Sequence, residues 1–89
     1  MPARAIVFDP AFLDDLLWWI KTDGRLARRT LELVQAVTSD PFQGVGKPEP
    51  LRFELAGAWS RRITQEHRLV YEVHDDRIVF LQARFHYQR

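Results

Sequence analysis

The chain has 89 residues, 46% of them hydrophobic, with no cysteine and a formal net charge of +1. This composition predicts one domain over residues 1–89 with a small single core. It excludes a disulfide framework, a thiolate nucleophile and a cysteine metal cluster, and it is too apolar for a disordered chain. The opening "MPARAIVFDP" holds no long apolar stretch, so neither a signal peptide nor a membrane span is expected and a cytoplasmic location is favoured.

In chain order, "AIVF" at 5–8 is a short β run. Asp9 can cap a helix and Pro10 suits its first turn. "AFLDDLLWWIKTD" then predicts a helix with Phe12, Leu16, Trp19 and Ile20 on one face. "DG" at 23–24 breaks it. A second helix runs from about Arg25 to Ser39, with Leu26, Thr30, Leu33, Val34 and Val37 inside and Arg25, Arg28, Arg29 and Glu32 outside. Neighbouring helical side chains point ~100° apart, so Trp18 and Trp19 cannot both face one core. One of them is expected either at a contact with a second surface or, more simply, packed on the second helix or exposed.

"SDPFQGVGKPEP" at 39–50 holds three of the five prolines and two of the four glycines. It predicts an exposed loop, where function often sits. After it the period becomes two. "LRFEL" alternates Leu51, Phe53 and Leu55 against Arg52 and Glu54. "AWSRRITQ" alternates Trp59, Arg61 and Ile63 against Ser60, Arg62 and Thr64. "HRLVYEV" sets Leu69, Tyr71 and Val73 against Arg68, Val70 and Glu72. "HDDR" turns the chain and "IVFLQARFHY" is the last strand. The order β-α-α-β-β-β-β predicts an α+β domain: an antiparallel sheet with a two-helix hairpin packed on one face.

The charge becomes informative when divided. Residues 1–40 carry five Lys/Arg against six Asp/Glu, and residues 41–89 carry eight against six. Eleven of the thirteen cations are arginine, the side chain suited to planar recognition of phosphate. By alternation Arg52, Arg62 and Arg68 leave the apolar face, and Arg84 and His86 join them on the last strand, with Glu49 entering from the loop. Arginine rows on an exposed sheet face are also ordinary structure, so the residues alone leave both roles open.

The chemical reading is metal-free RNA cleavage. A 2′-OH attacking its neighbouring phosphate needs a base, fixed cations and an acid for the departing 5′-oxygen. Glu, Arg and His suit those tasks, and Phe85 or Tyr87 could stack on a base. No cofactor is expected. His67, His74 and His86 lack a metal-ligand spacing, and "GVGKPEP" lacks the spacing and following helix of a phosphate loop.

"PFQGVGKPEPL", "WSRRI", "HRLVY" and "RFHY" closely resemble the motifs of the YoeB/Txe toxins, within the RelE-like superfamily of toxin–antitoxin systems. The resemblance runs from Phe8 to Tyr87. It implies a microbial-ribonuclease-like fold, ribosome-dependent cleavage of mRNA in the A site, inhibition by a YefM-like antitoxin, and a homodimer. It also implies roles: Glu49 as general base, Arg68 on the phosphate, His86 as general acid, and Tyr87 shaping the site or stacking. Arg52, Arg62, Arg84 and Lys47 are then expected to contact RNA and Glu66 to support them. An arginine face that holds phosphates would also attract an acidic antitoxin segment. Gln88 and Arg89 follow the tyrosine at which many relatives stop, and Ala83 stands where they often have cysteine. Two other readings share the resemblance: a toxin of this fold that binds a protein target without cleaving RNA, and a partner that only sequesters an antitoxin.

Overall fold

The computed structural model describes residues 3–52 and 57–85. Its elements are β1 (Ala5–Phe8), α1 (Pro10–Thr22), α2 (Gly24–Ser39), β2 (Glu49–Pro50), β3 (Ala58–Arg62), β4 (Arg68–Val73) and β5 (Arg77–Gln82). Asp9 caps α1: its Oδ1 accepts from the Ala11 amide at 2.9 Å, with Pro10 in the first turn. One residue joins the helices. The Asp23 amide donates to the Trp19 carbonyl at 2.7 Å, closing α1. Its carboxylate accepts from the Arg25 amide at 3.1 Å and the Leu26 amide at 3.4 Å, opening α2. Gly24 is therefore helical, and the break is shorter than "DG" suggests.

The sheet order is β1-β5-β4-β3-β2. From β2 to β5 it is the expected antiparallel meander. The expectation of a wholly antiparallel sheet is corrected at one edge, where β1 pairs with β5 in parallel, Ala5 opposite Arg77 and Phe8 opposite Phe80. A parallel pair needs a long crossover between its strands, and the helical hairpin lies in that connection.

The main core joins both helices to one sheet face: Phe12, Leu16, Trp19, Leu33, Val34 and Val37 meet Leu69, Tyr71, Ile78 and Phe80. Side chains of this size each contribute ~1.5–3 kcal/mol when fully buried. Ile20 does not join them and is 55% exposed. It lies roughly 80° round the helix from Phe12, outside the stripe set by residues 12, 16 and 19. Trp19 is buried, while Trp18 lies at the surface. A smaller apolar cluster of Leu51, Ala58 and Val70, with Leu81 against it, covers the opposite face.

The register of β2 and the end of β5 at Gln82 correct the expected arginine face. β2 pairs at Glu49–Ser60, and the Leu51 amide donates to the Ala58 carbonyl at 2.9 Å. This carries Leu51 onto the Ala58–Val70 face in place of Arg52, which is exposed. A one-residue shift of register exchanges the faces of a strand. On the far side a bulge intervenes: Val70 pairs with Gln82 but Tyr71 with Phe80. The bulge bends β5, which ends at Gln82. The Arg84 guanidinium carbon lies 3.7 Å from the centroid of the Trp18 ring on α1, so Arg84 leaves the expected row. Of the expected "LRFEL" strand, residues 53–55 lie outside the described residues, as do His86 and Tyr87.

Candidate active site

Cross-strand pairing sets Glu49 opposite Ser60 and Arg62 opposite Arg68. On that face Arg68 Nη1 donates to Glu49 Oε1 at 2.7 Å and to Ser60 Oγ at 3.1 Å. The Arg68 side chain is 11% exposed and that of Glu49 is 55% exposed. A nearly buried guanidinium is thus held from below, with a carboxylate beside it that faces solvent. The bond is charge-assisted, but with Glu49 this exposed its main effect is orientation rather than stability. The pair offers a proton acceptor and a fixed cation within reach of one small group.

The loop before Glu49 is fastened by Arg61, which has no exposed surface. Its guanidinium donates to the carbonyls of Val45 at 3.1 Å and Gln43 at 3.0 Å, to the Asp40 carbonyl, and to the Tyr71 hydroxyl at 3.2 Å. The Tyr71 hydroxyl in turn donates to the Pro41 carbonyl at 2.7 Å. Burial pushes the Tyr71 hydroxyl pKa up from its usual 10.0, against the lowering effect of Arg61. A buried cation is tolerated here because oxygen acceptors surround it.

Beyond the loop, Arg29, Lys47 and Arg62 line a cleft of about 460 Å³ with Gly46, Ile63, Thr64 and Gln65. Among the described residues, no acidic side chain lines it. Arg29 Nη2 donates to the Arg62 carbonyl at 3.3 Å, and the Arg62 amide donates to Gly46 at 2.6 Å. Lys47 sits at φ +52° and is exposed. Among the described residues the buried Arg62 Nε has no hydrogen-bond partner.

The structure therefore brings Glu49 and Arg68 together and gathers Lys47 and Arg62 in the cleft. Arg84 stacks on α1. Glu66 is exposed in the turn after β3, where its amide donates to Thr64 Oγ1 at 3.2 Å. Sequence reasoning gave no role to Ser60, Arg61, His67, Tyr71 or Arg29. Arg61 carried a usable signal: a charged residue in the inward phase of Trp59 and Ile63 implies a buried cation with its own acceptors.

This fold is that of the small RelE-like toxins. It superposes on the YoeB/ParE toxin from Agrobacterium tumefaciens with a TM-score of 0.87 at 42% identity, over 93% of this chain and 99% of that one. The chain belongs to the YoeB-like toxins of bacterial type II toxin–antitoxin systems, whose family model matches residues 8–87. Toxin RelK of Mycobacterium tuberculosis is 51% identical over 84 residues, covering 94% of this chain and 99% of that protein. The Staphylococcus aureus YoeB dimer has a TM-score of 0.85 at 34% identity, over 97% of this chain and 100% of that one. A YoeB–YefM complex from Staphylococcus aureus has a TM-score of 0.83 at 33% identity, with the same coverage.

Proposed function

We propose that this toxin is a ribosome-dependent mRNA endonuclease. Glu49 takes the proton of a ribose 2′-OH, whose oxygen attacks the adjacent phosphorus. Arg68 neutralises the charge that grows on the phosphoryl oxygens. The bond to the 5′-oxygen breaks and His86 supplies that oxygen with a proton, leaving a 2′,3′-cyclic phosphate and a 5′-OH. Tyr87 stacks on or confines the message. The observation that carries this reading is the Glu49–Arg68 contact of 2.7 Å, held on paired strands with the carboxylate open to solvent. His86 is supported by its place in the chain: it follows Phe85, whose carbonyl accepts from the Arg68 amide at 3.0 Å.

Lys47, Arg62 and exposed Arg52 supply cations for flanking phosphates, Arg84 for a neighbouring one, and Glu66 supports the turn beside them. So spare an inventory needs the ribosome to align the 2′-OH with the scissile bond, and a toxin that works on ribosomes acts in the cytoplasm. By likeness to the S. aureus proteins, its partners are a YefM-like antitoxin and a second copy of itself. The antitoxin inhibits by laying an acidic segment over the cationic face. The test is cell-free translation with mapping of message ends. Cleavage on ribosomes and little on naked message is expected, abolished by His86→Gln. Translation arrest with intact message would instead identify a toxin that acts by binding.

A further inference from the structure

β5 ends at Gln82, yet the irregular residues 83–85 that follow are held almost group by group. The Ala83 amide donates to Asp15 Oδ2 at 2.8 Å, and its carbonyl accepts from Trp19 Nε1 at 2.8 Å. The Arg84 carbonyl accepts from Gln82 Nε2 at 3.1 Å. The Phe85 amide donates to His67 Nδ1 at 2.7 Å, and its carbonyl accepts from the Arg68 amide at 3.0 Å.

Phe85 also carries φ +55°, a left-handed conformation unfavourable for a residue with a Cβ. Such a conformation persists when its surroundings over-determine it. Here the His67 ring does so. It stands edge-on to Trp19 at 4.8 Å and tilted against Phe85 at 5.0 Å. Its backbone is equally fixed: the carbonyl accepts from the Ile63 and Thr64 amides at 2.9 and 3.1 Å, and the amide donates to Thr64 Oγ1 at 3.1 Å. With the Phe85 amide donating to it, Nδ1 is the accepting nitrogen of this ring. His67 is thus a rigid acceptor aimed at the Arg84–Phe85 peptide, while the next peptide, whose carbonyl is that of Phe85, is held by the Arg68 amide.

We propose that His67 is a positioning residue for catalysis. It does not touch substrate. It holds the Arg84–Phe85 peptide and with it the left-handed turn at Phe85, from which the chain continues to the residue assigned the acid role. This rests on the acid role assigned to His86 above.

The experiment compares His67→Phe, which keeps an aromatic ring but no acceptor, with His67→Asn, whose Oδ1 can replace Nδ1. In the native protein, a nitrogen–nitrogen coupling across the hydrogen bond between the Phe85 amide and His67 is expected. His67→Phe should stay folded by circular dichroism but exchange its Phe85 amide faster. Its cleavage at saturating ribosomes should fall about 10²-fold, the scale of a misplaced catalytic group, with half-saturation unchanged. His67→Asn should recover most of that rate. Native-rate cleavage by His67→Phe overturns the proposal, as does absence of the coupling. An equal loss in both variants reduces His67 to packing and overturns it too. His86→Gln is the control: if it cleaves normally, the acid assignment fails and the catalytic consequence with it, while the Phe85 amide still decides whether the clamp exists.

Discussion

Arg61 Nε donates to the Tyr71 hydroxyl at 3.2 Å across neighbouring strands, and neither side chain has exposed surface. Through this contact the sheet grips a loop that has no regular structure of its own. Three loop carbonyls converge on Arg61 and a fourth on Tyr71. Lys47 and Glu49 follow that loop directly, so its anchorage and the geometry of the site are one problem.

Arg61→Lys is expected to cost about 3 kcal/mol or more. A point charge cannot reproduce a planar fork, and hydrogen bonds to charged groups contribute ~1.5–3 kcal/mol each. Urea unfolding should show the lower midpoint. Message cleavage should fall as well, because the segment carrying Glu49 loses its support.

Tyr71 predicts a stability change at alkaline pH. Its folded pKa is raised by burial, so the unfolded chain releases this proton first. Its stabilising contribution is intact below about pH 10 and is lost as pH rises through the higher folded value. Tyr71→Phe should flatten that alkaline decline. Near neutrality it should be about 1–3 kcal/mol less stable, since Arg61 and the Pro41 carbonyl each lose a partner. Thermal unfolding between pH 8 and 11 checks both statements.

Glu49→Gln keeps an acceptor for Arg68 but removes the base. Cleavage on ribosomes should drop ~10²–10⁴-fold, the usual worth of general acid–base catalysis. The melting temperature should hardly move, because Glu49 is largely exposed. A variant that cleaves normally would remove Glu49 from the mechanism.

Two glycines should respond in opposite ways to alanine. Gly46 lies at φ +85°, and an added Cβ would sit 2.9 Å from Leu33 Cδ2. Gly46→Ala should therefore lose about 1–3 kcal/mol from strain and overpacking. At Gly24, which opens α2, an added Cβ would meet none of the described residues within 4 Å. Gly24→Ala should be neutral or stabilising by up to ~1 kcal/mol. Paired calorimetry of the two variants is the measurement.

The cleft cations should act on binding rather than on chemistry. Arg29→Ala and Lys47→Ala are each expected to raise the ribosome concentration for half-maximal cleavage several-fold, with the saturating rate nearly unchanged. The salt dependence of binding should become shallower, because each removed cation is one fewer phosphate contact. A fall in saturating rate alone would place these residues in the chemical step.

Local interactions made much of this protein legible in its sequence. Both helices are written in the period of residues 12, 16 and 19 and of 30, 33, 34 and 37, and the caps at Asp9 and Asp23 are short-range bonds. Alternation after Pro50 announced the meander, and the family motifs pointed to Glu49 and Arg68 together. Tertiary structure decided the rest. Whether Leu51 or Arg52 faces the site depends on the pairing of Glu49 with Ser60, a contact that alternation within one strand does not specify. Arg84 was expected beside Arg68, but β5 ends at Gln82 and the Arg84 guanidinium lies over Trp18, 66 positions away in sequence. His67 reads as one polar residue in a turn until folding brings Phe85 to its ring. Periodicity reports which side of its own element a residue faces; register and bulges are set between elements, by which partner satisfies the backbone and fills the core.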